Sequence, residues 1–95
     1  MNITVEQYNY RVLERLVRGF SNHRRIQILE LLQAKPELSV MEISDALRIN
    51  FKTAADHIRR LTIAGLLKKS SRGVSVCHRL SPRGIKVLKF LRTLA

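Results

Sequence analysis

The feature that most constrains this chain is a change of hydrophobic period in its last third. Up to Gly65, apolar residues recur every three or four positions, the spacing of one face of a helix. From Val74 to Leu80 they alternate. Val74, Val76, His78 and Leu80 fall on one side, and Ser75, Cys77 and Arg79 on the other, the two-residue repeat of a half-buried strand. After Ser81-Pro82 the helical spacing returns. With 95 residues the chain has room for one domain, spanning 1–95. One short hairpin set among helices makes that domain mainly α. It leaves no room for the repeated strand-helix units of a parallel sheet or the many strands of a sandwich.

Punctuation residues divide the helical part. Thr4 and Gln7 form a T-x-x-Q capping box ahead of Val5, Tyr8, Val12, Leu13, Leu16 and Val17, which predicts a first helix over 4–18 with Gly19 as its stop. Ser21 or Asn22 caps a second helix with an inner stripe of Ile26, Leu29 and Leu32, broadened by Ile28 and Leu31 and ended by Pro36. Ser39 with Glu42 is a further capping box, followed by a short helix through Val40, Ile43, Ala46 and Leu47. Asn50 caps the fourth helix. Its Ala54, Ile58, Leu61 and Gly65 face inward, whereas Lys52, Thr53, Asp56, Arg59 and Arg60 face outward. Gly65 ends it, since glycine tolerates the left-handed backbone of a helix terminus. Ser71-Arg72-Gly73 signals a hairpin turn. Ser81-Pro82 is an N-cap with proline at the first helical position, opening a last helix on Ile85, Leu88 and Leu91, widened by Val87, Phe90 and Leu94.

The order is therefore helix, helix, helix, helix, hairpin, helix. A short helix, a tight connection and a second helix with a polar outer face make a helix-turn-helix. A basic hairpin directly behind it is a wing.

Charge is segregated along this order. The first 56 residues hold eight bases and seven acids; the last 39 hold ten bases and no acid, and together they give the net +11. An imbalance that runs from the recognition helix through the wing into the last helix, where Arg83, Lys86, Lys89 and Arg92 lie, points to an anionic partner. Other classes are disfavoured. No apolar run approaches the roughly 20 residues of a membrane span, and residues 1–10 lack the pattern of a signal peptide. A single cysteine, Cys77, makes neither an internal disulfide nor a cysteine-built zinc site, which implies a reducing, cytoplasmic setting. No phosphate-binding glycine loop or H-E-x-x-H is present. His23, His57 and His78 are dispersed, so no catalytic, metal or cofactor site is expected.

The run Leu47-Arg48-Ile49-Asn50-Phe51-Lys52-Thr53-Ala54-Ala55-Asp56-His57-Ile58-Arg59-Arg60-Leu61-Thr62-Ile63-Ala64-Gly65-Leu66-Leu67 resembles, without a gap, the L-G-L-S-x-x-T-V-S-x-H-L-x-x-L-x-x-A-G-L-V of the ArsR-type winged helix. Upstream, Arg24 to Leu32 resembles that family's R-x-x-I-L-x-x-L helix. The resemblance covers about 20–90. It implies a winged helix-turn-helix regulator, repressor-like, of prokaryotic type, acting on double-stranded DNA at the nucleoid as a homodimer. Two departures stand out. Residues 39–48 lack the family's cysteine pair, and residues 82–95 lack Cys, His, Asp and Glu, so neither of the family's known metal sites is supported. Ala55 replaces the usual serine, and acidic Asp56 lies on the recognition face.

Helix-turn-helix docking places the N-terminal part of the recognition helix against base edges. Lys52 would donate to guanine. Asp56 would accept from cytosine or pair with Arg59 and Arg60 on its own helix. Arg59 and Arg60 suit phosphates, which position the protein without specifying sequence, and the free amides behind Asn50 suit a phosphate as well. His57 aligns with the family's histidine, as a structural group or a phosphate contact. Lys68, Lys69 and Arg72 would set the wing on the DNA backbone. The resemblance makes the first and last helices the dimer contact, with Tyr8, Val12, Leu16, Ile85, Leu88, Leu91 and Leu94 as candidates; the other reading closes the monomer's own core with them. A two-fold dimer would match half-sites one helical turn apart, roughly 34 Å. Two further readings stay open: a winged-helix protein-interaction module of a transcription or assembly complex, and a redox-responsive repressor acting through Cys77.

Overall fold

The computed structural model describes residues 3, 5 and 7–95. Five helices and a small sheet follow in the order α1 (Tyr10–Phe20), α2 (His23–Ala34), β1 (Leu38–Ser39), α3 (Val40–Leu47), α4 (Phe51–Ile63), β2 (Leu67–Arg72), β3 (Ser75–Leu80) and α5 (Pro82–Leu94). The sheet runs β1-β3-β2 and is antiparallel throughout. Four helices, a hairpin and a final helix are the mainly α winged arrangement expected.

The caps form largely as the sequence dictates. The Asn22 side chain accepts from the amides of Arg24 (2.9 Å) and Arg25 (3.2 Å). Ser39 and Glu42 close a full capping box: the Glu42 amide donates to Ser39 Oγ at 3.2 Å, and the Ser39 amide to Glu42 Oε1 at 2.9 Å. Each such pair satisfies two of the amides that a helix start leaves orphaned. Ser81 Oγ accepts from the Gly84 amide at 3.0 Å and donates to the Gly65 carbonyl at 2.5 Å. That second bond ties the exit of α4 to the entry of α5.

The first helix departs from expectation. It starts at Tyr10, capped by Asn9, whose side chain accepts from the Val12 amide at 3.2 Å. Thr4, the expected cap, lies outside the described residues. Val5 and Tyr8 are exposed and precede the helix; Tyr8 meets only the edge of the Tyr10 ring, so the period that suggested an earlier start has no core to pack on. The helix also runs through Gly19 to Phe20. Gly19 does not stop it. It is buried where α1 crosses the end of α4, and a Cβ there would collide with the Ala64 side chain. Glycine at this point permits a close approach of two backbones.

The core is built on Ile28, Leu29 and Leu32 of α2, Ile43 of α3, Ile58 and Leu61 of α4, and Leu88 of α5, closed by Phe20, Leu38, Leu66 and Leu67. On α2, Ile28 is fully buried whereas Ile26 is only partly so, because the helix packs against both α4 and α5 and buries a wide face. Ala46 of α3 is exposed.

The hairpin corrects two details. Arg72 pairs with Ser75, so the turn is the two-residue Gly73–Val74, with Gly73 at φ +64, and Ser71 and Arg72 belong to β2. Burial along β3 does not alternate. Val74 and Val76 are exposed while Cys77 and His78 are both buried. The tip projects past the core. The base of the same strand is flanked on both edges, since Leu38 and Ser39 of β1 pair with His78 and Cys77.

Candidate nucleic-acid interface

α3 and α4 are joined by Arg48, Ile49 and Asn50. Arg48 takes a left-handed backbone (φ 55, ψ 47) that ends α3, and Asn50 begins α4 by accepting from the amides of Lys52 (2.8 Å) and Thr53 (3.4 Å). Ala54, Ile58 and Leu61 anchor α4 in the core. The same rotation exposes Phe51, Lys52 and Thr53 at its N-terminal end, and Arg59 and Arg60 further along.

Asp56 is engaged within its own helix. Its carboxylate accepts from Arg59 Nη2 at 2.8 Å and Arg60 Nε at 3.0 Å. These hydrogen bonds hold the Asp56 carboxyl at about 2, below its ordinary 3.8, so it stays ionised. One acid thus orients two guanidiniums on the exposed face. His57 is partly buried, and its Nδ1 has no partner among the described residues. Burial, with Arg25 nearby, lowers its pKa. It sits behind the exposed face as an uncharged ring.

The wing is pinned to the body at two points. Ser70 Oγ donates to Glu37 Oε1 at 2.6 Å, and Arg72 Nη2 donates to Glu42 Oε1 at 2.6 Å. Glu42 is the capping-box carboxylate of α3, so one side chain closes that helix and anchors the hairpin. Hydrogen bonds from the Ser39 amide and Arg72 lower its pKa. Nothing in the spacing of the sequence connects residues 42 and 72. Lys68 and Lys69 are exposed. Lys69 also lines a cleft of about 360 Å³ between α4 and the sheet, opposite Arg59 and Thr62. One base of the wing, Lys69, and one of α4, Arg59, therefore border a single, mainly apolar depression.

The expected dimer residues divide into three groups. Tyr8, Val12, Ile85 and Leu94 are exposed, and Leu16 and Leu91 are partly buried against the core. Leu88 is 1 % exposed. It is a core residue of the single chain and offers nothing to a partner, because α5 turns that position onto α2. Arg92 of the basic last helix is held by Glu30 of α2 through two hydrogen bonds, at 2.9 and 3.2 Å. Cys77 is fully buried, so an oxidant would reach it only through opening of the sheet. No group of three or more candidate metal ligands occurs among the described residues, and no described helix is long and apolar enough to cross a membrane.

The sequence matches the winged helix-turn-helix DNA-binding family over residues 21–68, which is half of the chain. The chain belongs to that family. The matched stretch holds α2, α3, α4 and the first residues of the wing. Among solved structures, the chain is similar to a possible transcriptional regulatory protein from Mycobacterium bovis (26 % identity, TM-score 0.78, 90 % of this chain and 91 % of that one). It is similar also to the transcriptional regulator HlyU from Vibrio vulnificus (29 % identity, TM-score 0.72, 90 % of each chain). The homodimeric winged helix-turn-helix DNA-binding domain of a possible ArsR-family regulator from Mycobacterium bovis shares the fold at 24 % identity (TM-score 0.82, 99 % of this chain and 89 % of that one). A search of curated proteins found no match.

Proposed function

We propose that this chain is a homodimeric, ArsR-like transcriptional regulator of the repressor type, working on duplex DNA at the nucleoid of a prokaryotic cytoplasm. The observation that carries the reading is the shared depression between α4 and the wing, bordered by Arg59 on one side and Lys69 on the other. Lys52 and Thr53 stand free at the N-terminal end of the same helix. In this reading Lys52 and Thr53 meet base edges, while Arg59, Arg60, Lys68 and Lys69 meet phosphates. Arg72 and Asp56 act through the groups they hold. Arg72 keeps the hairpin against α3, and Asp56 keeps two guanidiniums extended along the helix surface. The exposed apolar side of α1, with Ile85 and Leu94 of α5, forms the two-fold contact. The name of the Vibrio vulnificus relative and the homodimeric Mycobacterium bovis domain support the regulator and dimer parts of the reading.

Selection of bound duplexes from a random pool tests it. A palindromic motif with half-sites roughly 34 Å apart is expected. Lys52→Ala should then alter base preference at one position of each half-site. Lys69→Ala should weaken all duplexes alike and lower the dependence of affinity on salt. Absence of duplex binding at low salt would overturn the reading.

A further inference from the structure

A second concave surface lies on the other side of the C-terminal half of α4, with Arg59 and Ile63 common to both clefts. It is a groove of about 400 Å³ formed where α1, α2, the end of α4 and the start of α5 meet. Six arginines line it: Arg15 and Arg18 from α1, Arg25 from α2, Arg59 and Arg60 from α4, and Arg83 from α5. Its walls also carry Val12, Leu16, Ile63 and Ala64. Three of the six have carboxylate partners: Arg18 pairs with Glu14, and Arg59 and Arg60 with Asp56. Among the described residues, Arg15, Arg25 and Arg83 have no carboxylate within 4 Å. The Nε of Arg25 is buried and has no acceptor among the described residues. The exposed Arg83 guanidinium lies close over Gly65.

Cations that merely solvate a surface stand apart, because like charges repel and each head seeks water. Here four helices bring guanidiniums together around an apolar wall. A concave, low-dielectric wall strengthens their combined field and concentrates anions. Three guanidiniums without carboxylates match a dianion better than a single carboxylate, since a phosphate monoester offers three terminal oxygens to forked N–H donors. The apolar side chains match a hydrophobic body on that phosphate, and the volume lies in the ordinary range of small-molecule sites. Swinging Arg25 onto such a group would give its Nε–H an acceptor. A DNA phosphate fits less well. The groove is concave, and its apolar walls offer nothing to a sugar-phosphate backbone.

We propose that this groove binds a small organic phosphate with an apolar or aromatic body. Such a ligand touches Arg59 and Arg60 and also the inner side of α1. It draws two phosphate-binding groups away from DNA and alters the helix that carries the dimer contact. This regulatory consequence rests on the DNA-binding reading, whereas binding of the ligand does not.

The probe is 1-naphthyl phosphate, titrated calorimetrically into the full chain without DNA. One site per chain is expected, with inorganic phosphate weaker and 1-naphthalenemethanol not bound. The double variant Arg25→Gln, Arg83→Gln should lose about tenfold or more in affinity, with its circular dichroism unchanged, while Lys52→Ala binds the probe like the parent. Amide shifts in heteronuclear spectra should centre on Gly19 and Ala64. Failure of the parent to bind, equal binding by the double variant or by the neutral alcohol, or shifts confined to residues 50–53 would each overturn the proposal. So would a double variant that loses duplex affinity when no probe binds, because the groove would then belong to the DNA footprint. A parent chain that binds the probe but no duplex would uphold the groove and reject the regulator reading.

Discussion

Replacing Ser81 by alanine tests how the recognition helix is joined to the last helix. The Ser81 hydroxyl makes two bonds at a buried position, 4 % exposed. It accepts from the Gly84 amide at 3.0 Å and donates to the Gly65 carbonyl at 2.5 Å. Loss of an N-cap serine costs about 1 kcal/mol. The Gly65 carbonyl then loses its donor in a partly buried place, which costs about 1 kcal/mol or somewhat more. The sum, about 2–3 kcal/mol, corresponds to a fall in Tm of roughly 8–24 °C for a domain of this size. Urea denaturation followed by circular dichroism measures it. Ser81→Thr retains the hydroxyl and should stay within about 0.5 kcal/mol of the parent. A loss below about 0.5 kcal/mol for Ser81→Ala, or an equal loss for Ser81→Thr, would refute the assignment of the stability to these two bonds.

Leu88→Ala should destabilise the chain by about 2–5 kcal/mol, while Leu94→Ser, at an exposed site, should leave urea stability nearly unchanged and shift the sedimentation profile toward monomer. Gly19→Ala forces a methyl group into Ala64; net destabilisation of about 1–2 kcal/mol is expected, an overpacking cost partly offset by helix propensity, and an unchanged or raised Tm would show that α1 does not press on α4. Burial lowers the pKa of both His57 and His78 from the ordinary 6.5. The unfolded chain therefore takes up protons before the folded one, and stability should be full at neutral pH and decline as pH falls through 6.5. His57→Gln with His78→Gln should flatten that part of a Tm profile, and an unaltered slope would refute it. Asp56, held at about 2, should keep its contribution above its ordinary 3.8 and lose it only as pH falls toward 2, seen as a late carboxylate titration by NMR.

Much of this arrangement was legible because it is local. Asn22, Ser39 with Glu42, Asn50 and Ser81-Pro82 announce four helix starts through bonds that span two or three residues. The change of period announces the hairpin. Asp56 lies three and four residues from two arginines, so its ion pairs were readable as well. Misreadings arose where tertiary placement decides. Val5 and Tyr8 continue the helical spacing, yet neither reaches the core. Gly19 has the composition of a stop and serves as a crossing point. β1 is two residues long, too short to carry a period, and exists only because β3 offers it an edge. The tie between Glu42 and Arg72 joins positions far apart in sequence, and the six arginines of the groove come from four helices with no common spacing.

The crossing of Gly19 on Ala64 has a mechanical consequence. A backbone seated directly on the Ala64 methyl, with no side chain of its own between, has little freedom to slide or to rotate. Because α1 carries much of the proposed two-fold contact, that crossing fixes the end of each recognition helix against the dimer axis with few compliant joints. A pair of heads mounted so stiffly keeps one separation. One extra base pair between half-sites displaces the second by about 3.4 Å and turns it by roughly 35°, a mismatch that the protein must absorb by straining DNA instead of itself. Tolerance of operator spacing is then set by a glycine that never approaches the nucleic acid.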